Sequence, residues 1–250
     1  MQSVNYHILT PFTRYTNLRH LLPMLQAAGV QWYPVLDDDL PRISFTQPWI
    51  HPIYAPPPPP KWFVGHFLFN YALDVLARGA DGIKLQDEDY YSIITDDDFY
   101  EPDFFKKLCR HTGDAIITSM KRGDHSVGRH PKTLLLAQPD FMRRGLVSLE
   151  QLFMAGRLAR TLRLEGSFDS DGLLVEHVVK HHKVSYAPEA FVWFNYLEPG
   201  RWENSPAPMP ESLWQAGKRF ATRFLYEQKL KLPKAIAGKR LSERQIEIRR

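Results

Sequence analysis

The order of apolar and polar positions predicts a strand, a helix and a second strand at the start of the chain. Residues 5–12 form a short apolar run that suits a buried strand leading into a loop. Leucines then recur at helical spacing from residue 18, and Gly29 ends the pattern. Residues 30–36 form a second apolar run, which stops at three consecutive aspartates, 37–39. Two strands joined through one helix predict a parallel sheet covered by helices.

Helical and strand patterns alternate up to about residue 120 and become less regular after it. Predicted helices cover 65–77, 102–110, 148–164, 172–181 and 211–229, and predicted strands cover 90–95, 114–120, 133–138, 184–188 and 191–196. The connection 40–62 is irregular, and its five consecutive prolines, 56–60, favour an extended polyproline segment. We therefore expect an α/β fold with a mostly parallel central sheet flanked by helices.

The net charge of +4 arises from two regions of opposite sign. Residues 214–250 contain eleven basic and three acidic side chains, a net of +8, so the body before them carries −4. The positive charge belongs to the tail and does not indicate a nucleic-acid-binding domain. Such a tail suits peripheral contact with an anionic membrane surface, or simply a solvated chain end.

Cysteine content and hydropathy indicate where the protein resides. A single cysteine, Cys109, permits no internal disulfide and no thiolate metal site, which suits a reducing cytoplasm. No apolar run approaches the roughly 20 residues that span a bilayer, and the first ten residues do not resemble a signal peptide. We expect a soluble cytoplasmic protein, whose metal ligands would be oxygen or imidazole.

Three acidic runs stand out, at 37–39, 87–89 and 96–98. The first and third directly follow apolar strands, and ligands of open parallel sheets bind at the carboxyl ends of strands. Oxygen ligands favour Mg²⁺ or Mn²⁺, which also bind substrate phosphates. These two runs therefore suggest a divalent cation that holds a nucleoside diphosphate, the alternative being solvated acidic loops. The run 87–89 precedes its strand and is interpreted as a solvated loop.

The sequence Ile-Thr-Asp-Asp-Asp-Phe-Tyr-Glu-Pro-Asp-Phe-Phe at 94–105 resembles the Asp-x-Asp segment of glycosyltransferases with the GT-A fold, of the family 2 type. In that family an apolar strand ends in acids, an apolar residue follows, and a proline begins the next helix. The resemblance implies that Asp96 reaches the ribose, and that Asp97 and Asp98 address the metal and the diphosphate. Which of the three is a direct metal ligand stays open.

The same resemblance covers the first two strands. The family begins with a strand that ends near Thr-Pro and receives the nucleotide, which implies nucleotide contacts for Thr10, Pro11 and Arg14. Its second strand ends in an acid that binds the base, a position that Asp37 or Asp38 matches.

The second half of the family's fold supplies the acceptor side. Residues 166–177 resemble the segment in which an acid opens a helix below the sugar, which implies Asp171, or else Asp169, as the base of an inverting transfer. From the residues alone, an acid before a helix is equally an N-cap. Arg201 lies in a late Gly-Pro loop where relatives close on the diphosphate, although it also suits an ordinary surface loop.

Together these features predict a metal-dependent glycosyltransferase that uses Mn²⁺ or Mg²⁺. It would transfer a sugar from a nucleoside diphosphate donor, with UDP expected by family frequency, to a hydroxyl of a glycan, lipid-linked or protein acceptor. Residues 1–210 would form one catalytic domain, with a nucleotide-sugar half at 1–120 and an acceptor half at 121–210. Residues 211–250 would add a helix and the basic tail.

Two alternatives remain at this stage. A sugar nucleotidyltransferase has a related sheet but usually carries a glycine-rich loop after its first strand, and residues 10–14 contain no glycine. A non-catalytic binding protein with the same fold would use the polyproline segment or the basic tail to recruit partners.

Overall fold

The computed structural model describes residues 4–12, 17–37, 43–59, 62–79, 83–122, 133–144, 147–167 and 169–194, and the structural statements below refer to them. The strands are β1 Tyr6–Pro11, β2 Gln31–Asp37, β3 Ile53–Ala55, β4 Tyr90–Ile93, β5 Phe99–Tyr100, β6 Ala115–Arg122, β7 Thr133–Leu135, β8 Leu152–Ala155 and β9 Val184–Phe194. The α-helices are α1 Leu18–Ala28, α2 Val64–Arg78, α3 Phe104–Leu108, α4 Gly156–Ala159 and α5 Ser170–His181. The predicted helix 211–229 and the basic tail lie outside these residues.

The strands form one mixed sheet in the order β3-β2-β1-β4-β8-β6-β9-β5, with β7 paired to β6. The pairs β3–β2, β2–β1, β1–β4 and β6–β9 are parallel, whereas β8 is antiparallel to both β4 and β6. Strands β1, β2, β3, β4, β6 and β9 therefore run in one direction, and we call the edge where they end the carboxyl edge. The predicted α/β class is confirmed.

The order of the first four strands creates a switch point. From β1 the chain moves to β2 and β3 on one side, and it then returns to β4 on the other side of β1. The carboxyl ends of β1 and β4 are neighbours, since the amide of Ile94 donates to the carbonyl of Leu9 at 3.0 Å. In open α/β sheets, the crevice at such a point is the usual ligand site. The residues after β4 are therefore well placed to contact a ligand.

Two hydrophobic clusters cover the two faces of the sheet. Successive strand residues point to opposite faces, so Ile8 belongs to one cluster and Leu9 to the other. Helices α1 and α3 contribute to the cluster of Ile8, and α2 and α5 to that of Leu9. Within the described residues, no helix is both long enough and apolar enough to cross a membrane.

The predicted helix 148–164 is wrong. Ser148 does begin a capping box, but the helix it caps is the single 3-10 turn Leu149–Gln151, after which the chain enters β8 and then the short α4. All four residues of β8 are buried, because the strand is inserted between β4 and β6. A four-residue apolar run does not distinguish a buried strand from a buried helix, so sequence periodicity failed here.

The two predicted strands 184–188 and 191–196 are one strand in the structure. Strand β9 pairs with β6 along its length, and its register shifts where Ala187 faces Thr118 and Phe191 faces Ser119. Pro188 lies in this irregularity, as expected for a residue that has no amide proton to give to a ladder.

Asn70 of α2 fixes the chain that leads into α5. Its amide nitrogen donates to the carbonyl of Leu164 at 2.8 Å, and the amide of Leu164 donates to its side-chain oxygen at 2.9 Å. We predict that Asn70→Ala lowers the free energy of unfolding by roughly 2–4 kcal/mol, because both backbone groups of Leu164 lose their partner in a buried place. Urea denaturation measures this change. Arg78→Ala, at the exposed end of the same helix, is the control, and equal losses in the two variants would contradict the prediction.

Candidate functional site

The acidic run 96–98 follows β4 at the carboxyl edge and is buried. Asp96, Asp97 and Asp98 are 1, 3 and 0 % exposed. The amide of Asp98 donates to the carbonyl of Thr95 at 3.1 Å, and Asp98 Oδ2 accepts from the amide of Thr95 at 3.2 Å. The hydroxyl of Thr95 lies 2.6 Å from Asp98 Oδ2 and 2.9 Å from Asp97 Oδ1. Because both carboxylate oxygens lie within hydrogen-bond distance of this one hydroxyl, the two carboxylates are close together.

The start of α1 is bound to the same run. The side-chain amide of Asn17 donates to the carbonyl of Asp96 at 2.9 Å and makes no capping bond to its own helix. This contact joins the β1–α1 connection to the β4 end, so the two sides of the switch point are held together by a buried hydrogen bond.

Glu150 is a site residue that the sequence prediction missed. It lies in the 3-10 turn Leu149–Gln151, just before β8, and is 6 % exposed. Because β8 runs antiparallel to β4 and β6, its beginning lies at the carboxyl edge. The hydroxyl of Ser148 donates to Glu150, and the side-chain amide of Gln151 donates to the carbonyl of Thr118 at 2.8 Å. These bonds hold Glu150 in a fixed position beside the end of β4.

The electrostatics of Glu150 bring three acids into one group. Burial, together with the negative charges of Asp171 and Asp97, raises the pKa of Glu150 to about 7. Asp171 lies in the first turn of α5 and Asp97 follows β4, so residues far apart in sequence act on the same carboxyl group. The sequence signal was the Ser-x-x-Gln capping box at 148–151, but it was interpreted as the start of a long surface helix.

We predict that Glu150 makes the metal-free protein less stable as the pH rises. The folded state raises its pKa from 4.5 to about 7, so its contribution is fully present below about pH 4.5 and is lost as the pH passes about 7. The loss is on the order of 3 kcal/mol. Urea denaturation in EDTA should show Glu150→Gln more stable than wild type near pH 8 and similar near pH 4.5. A difference that does not change with pH would contradict this prediction.

The structure distinguishes the two predicted bases. Asp169 forms an ion pair with Arg144, with Oδ2 and Nη1 3.1 Å apart. Asp171 is half-buried in the first turn of α5, and its Oδ1 accepts from the amide of Gly172 at 2.7 Å. Only Asp171 is among the charges that act on Glu150. The turn is anchored to α2 because the Ser170 hydroxyl lies 3.0 Å from Nδ1 of His66.

The predicted nucleotide-binding residues are described only in part. The side chain of Thr10 is fully buried and accepts a hydrogen bond from the indole of Trp32 at 2.9 Å, and Pro11 is buried as well. Their role seen here is to pack the end of β1. The backbone of Asp37 ends β2, opposite Ala55 of β3. Three further predicted residues, Arg14, Asp38 and Arg201, lie outside the described residues, as does the side chain of Asp37.

The acidic run 87–89 lies at the opposite edge, before β4. Asp87 and Glu88 are exposed, as the interpretation as a solvated loop expects. Asp89 does not fit that interpretation, because its side chain is buried. Its Oδ2 lies 3.0 Å from Nε2 of His7, and its Oδ1 accepts from the amide of Asn5 at 3.0 Å. Burial lowers the pKa of His7. Asp89 therefore joins the beginnings of β1 and β4 and has a structural role.

A cleft of about 570 Å³ also opens at this opposite edge, near the beginnings of β4 and β6. Its Arg157 lies 2.8 Å from Asp114 and 3.4 Å from Glu88, so the guanidinium charge is compensated. The cleft contains none of the acids at the carboxyl edge, and its chemistry gives no indication of a particular ligand. We therefore place the candidate site at the carboxyl edge.

The carboxyl edge fits a cation that is completed by its substrate. In the described part of the chain, no group of three or more His, Cys, Asp or Glu side chains is arranged to hold a metal. Asp97 and Asp98 nevertheless present two carboxylates around Thr95. Mg²⁺ and similar ions commonly use one or two protein carboxylates and take their other oxygens from water and phosphate. The donor set thus suits a metal that binds together with a diphosphate.

No protein-family model matches this sequence, and no curated protein matches it either. The case for a function therefore depends on the chemistry at the carboxyl edge. That edge combines two adjacent carboxylates after β4, a buried carboxyl group with a raised pKa before β8, and a further carboxylate at the start of α5.

Proposed function

We propose that this protein is a metal-dependent glycosyltransferase of the GT-A type, which moves a sugar from a nucleoside diphosphate donor to an acceptor hydroxyl. One observation carries the proposal. The segment 94–105 that resembles the family's Asp-x-Asp motif lies at the β1–β4 switch point, where an open α/β sheet binds its ligands. A three-acid run occurs often by chance, whereas a buried one at this location is far more specific.

Asp97 and Asp98 would hold the metal. When bound, Mn²⁺ or Mg²⁺ would supply positive charge to the diphosphate as it departs. The two aspartates are buried, and their carboxylate oxygens are the kind of ligand that these cations prefer. Thr95 orients both carboxylates through its single hydroxyl. The metal site would thus be preorganised by the turn 95–98.

Asp171 would act as the catalytic base. In an inverting transfer the acceptor oxygen attacks the anomeric carbon from the side opposite the diphosphate, and a carboxylate takes its proton. Asp171 is half-buried and its carboxylate is oriented by the amide of Gly172. Asp169 is the alternative base, but its carboxylate is engaged in an ion pair with Arg144.

The remaining contacts come from the family resemblance. Asp96 would bind the ribose, Asp37 or Asp38 the base, and Thr10, Pro11 and Arg14 the nucleotide, while Arg201 would close on the diphosphate. UDP is the preferred nucleotide, and the acceptor would be a glycan, a lipid-linked molecule or a protein. The basic tail would bring the enzyme to an anionic membrane surface if the acceptor is lipid-linked.

Calorimetric titration of UDP with and without Mn²⁺ tests the proposal. We expect saturable UDP binding that requires Mn²⁺, and weaker binding of UMP, because UMP offers the metal only one phosphate. EDTA should abolish the binding of UDP. UDP binding that is absent, or that is equal with and without Mn²⁺, would contradict the proposed function.

A further inference from the structure

Glu150 lies between the two functional ends of the proposed site. Its 3-10 turn contacts β4, which leads into Asp97, and also α5, which begins beside Asp171. The negative charges of both residues act on its carboxyl group. Glu150 is itself buried, while Thr95 and Asp171 on either side are half-buried. Glu150 therefore lies at the carboxyl edge, between the end of β4 and the start of α5.

The geometry of glycosyl transfer defines what lies there. The anomeric carbon is bonded to the diphosphate on one side and attacked by the acceptor oxygen on the other. The transferred sugar must therefore lie between the metal-binding Asp97 and the base Asp171. The turn that carries Glu150 contacts both the strand that leads to Asp97 and the helix whose first turn contains Asp171, so Glu150 would lie beside the position of the sugar ring.

A second buried side chain points to a polar ligand at this place. The hydroxyl of Tyr100 is buried and has no hydrogen-bond partner within the described residues. Its neighbour Ser92 donates its own proton to the carbonyl of Leu152 at 2.8 Å, and the two hydroxyls do not have the geometry of a hydrogen bond. The charges of Asp98 and Glu150 act on this hydroxyl. Because an unsatisfied buried hydroxyl is costly, this end of the site favours a polar ligand atom.

On the basis of the function proposed above, we propose that Glu150 hydrogen-bonds to a hydroxyl group of the transferred sugar and selects uncharged hexoses over uronic acids. A carboxyl group binds a sugar hydroxyl well, and in a buried place that bond excludes competition from water. The carboxylate of a uronic acid would face Glu150, Asp97 and Asp171 together. Like charges in a low-dielectric site repel strongly, so a uronate donor would be rejected.

Binding measurements with a panel of donors test the role of Glu150. UDP, UDP-glucose, UDP-galactose and UDP-glucuronate are titrated in the presence of Mn²⁺ into wild type, Glu150→Gln, Glu150→Ala and the control Asp140→Asn, which alters an exposed acid. UDP is the reference ligand, so the affinity for each donor is compared with the affinity for UDP in the same variant, and thermal unfolding reports correct folding. The affinity for the better of the two hexose donors should fall about 10-fold in both Glu150 variants. In Glu150→Gln, the ratio of the affinity for that hexose donor to the affinity for UDP-glucuronate should also fall by at least about 10-fold.

The outcomes separate this inference from the proposed function. If wild type binds UDP with Mn²⁺ but the Glu150 variants bind hexose donors as wild type does, the role of Glu150 is wrong and the proposed function stands. A wild-type preference for UDP-glucuronate would likewise overturn the role of Glu150 alone. If wild type binds none of these nucleotides, the proposed function fails and the role of Glu150 fails with it.

Discussion

Replacing Asp97 with asparagine is expected to reduce metal-dependent turnover of a UDP-sugar by roughly 100-fold or more. The loss of turnover follows from removing one of two carboxylates that hold the cation. Asparagine has nearly the same size, and its side-chain oxygen can still accept from the hydroxyl of Thr95, so the free energy of unfolding should change by less than about 1 kcal/mol.

Asp98 gives an informative contrast. Its carboxylate accepts from the amide of Thr95 and its own amide closes the same turn. Asp98→Ala should therefore lower both turnover and stability, whereas Asp97→Asn lowers only turnover. Asp140→Asn, on an exposed acid away from the site, should change neither. Donor hydrolysis with Mn²⁺ and thermal unfolding in EDTA measure the two effects, and full turnover in Asp97→Asn would show that the metal assignment is wrong.

The second large effect is expected from Asp171→Asn. General bases contribute about 10²–10⁴-fold to rates, so kcat should fall within that range, while Mn²⁺-dependent UDP binding stays unchanged. An unchanged Kd for UDP is the important part of this result, because it separates loss of the base from loss of the fold. Steady-state kinetics with a competent acceptor, together with the UDP titration, measure both quantities.

Asp169→Asn is the matched comparison for the base. Its carboxylate is paired with Arg144, so removing it should loosen the start of α5 and cost less than 10-fold in kcat. If Asp169→Asn instead abolished turnover and Asp171→Asn did not, the base would be Asp169, and the ion pair with Arg144 would be its means of orientation.

Much of the fold followed from local pattern. Residues 5–36 were predicted as strand, helix and strand, and β1, α1 and β2 occupy that segment with α1 ending at Gly29 in a left-handed conformation. Such elements are predictable because their periodicity and their end signals agree. The location of the acidic run 96–98 after a buried strand was predictable for the same reason.

The parts that failed depend on contacts between distant residues. Residues 152–155 form a strand because they pair with β4 on one side and with β6 on the other. Their four apolar side chains do not predict this pairing. Glu150 went unnoticed as a consequence, since its burial beside Asp97 and Asp171 depends on that pairing. The hydrogen bond from the Trp32 indole to the hydroxyl oxygen of Thr10 is another contact between distant residues that the sequence pattern did not predict.

The most direct test of the proposed site is a crystal structure of the protein with Mn²⁺ and UDP, with the metal located by its anomalous scattering. We predict that the Mn²⁺ ion directly contacts a carboxylate oxygen of Asp97 or Asp98, and that the diphosphate lies at the carboxyl ends of β1 and β4. A metal or nucleotide bound elsewhere, such as the cleft beside Asp114 and Arg157 at the opposite edge, would contradict it.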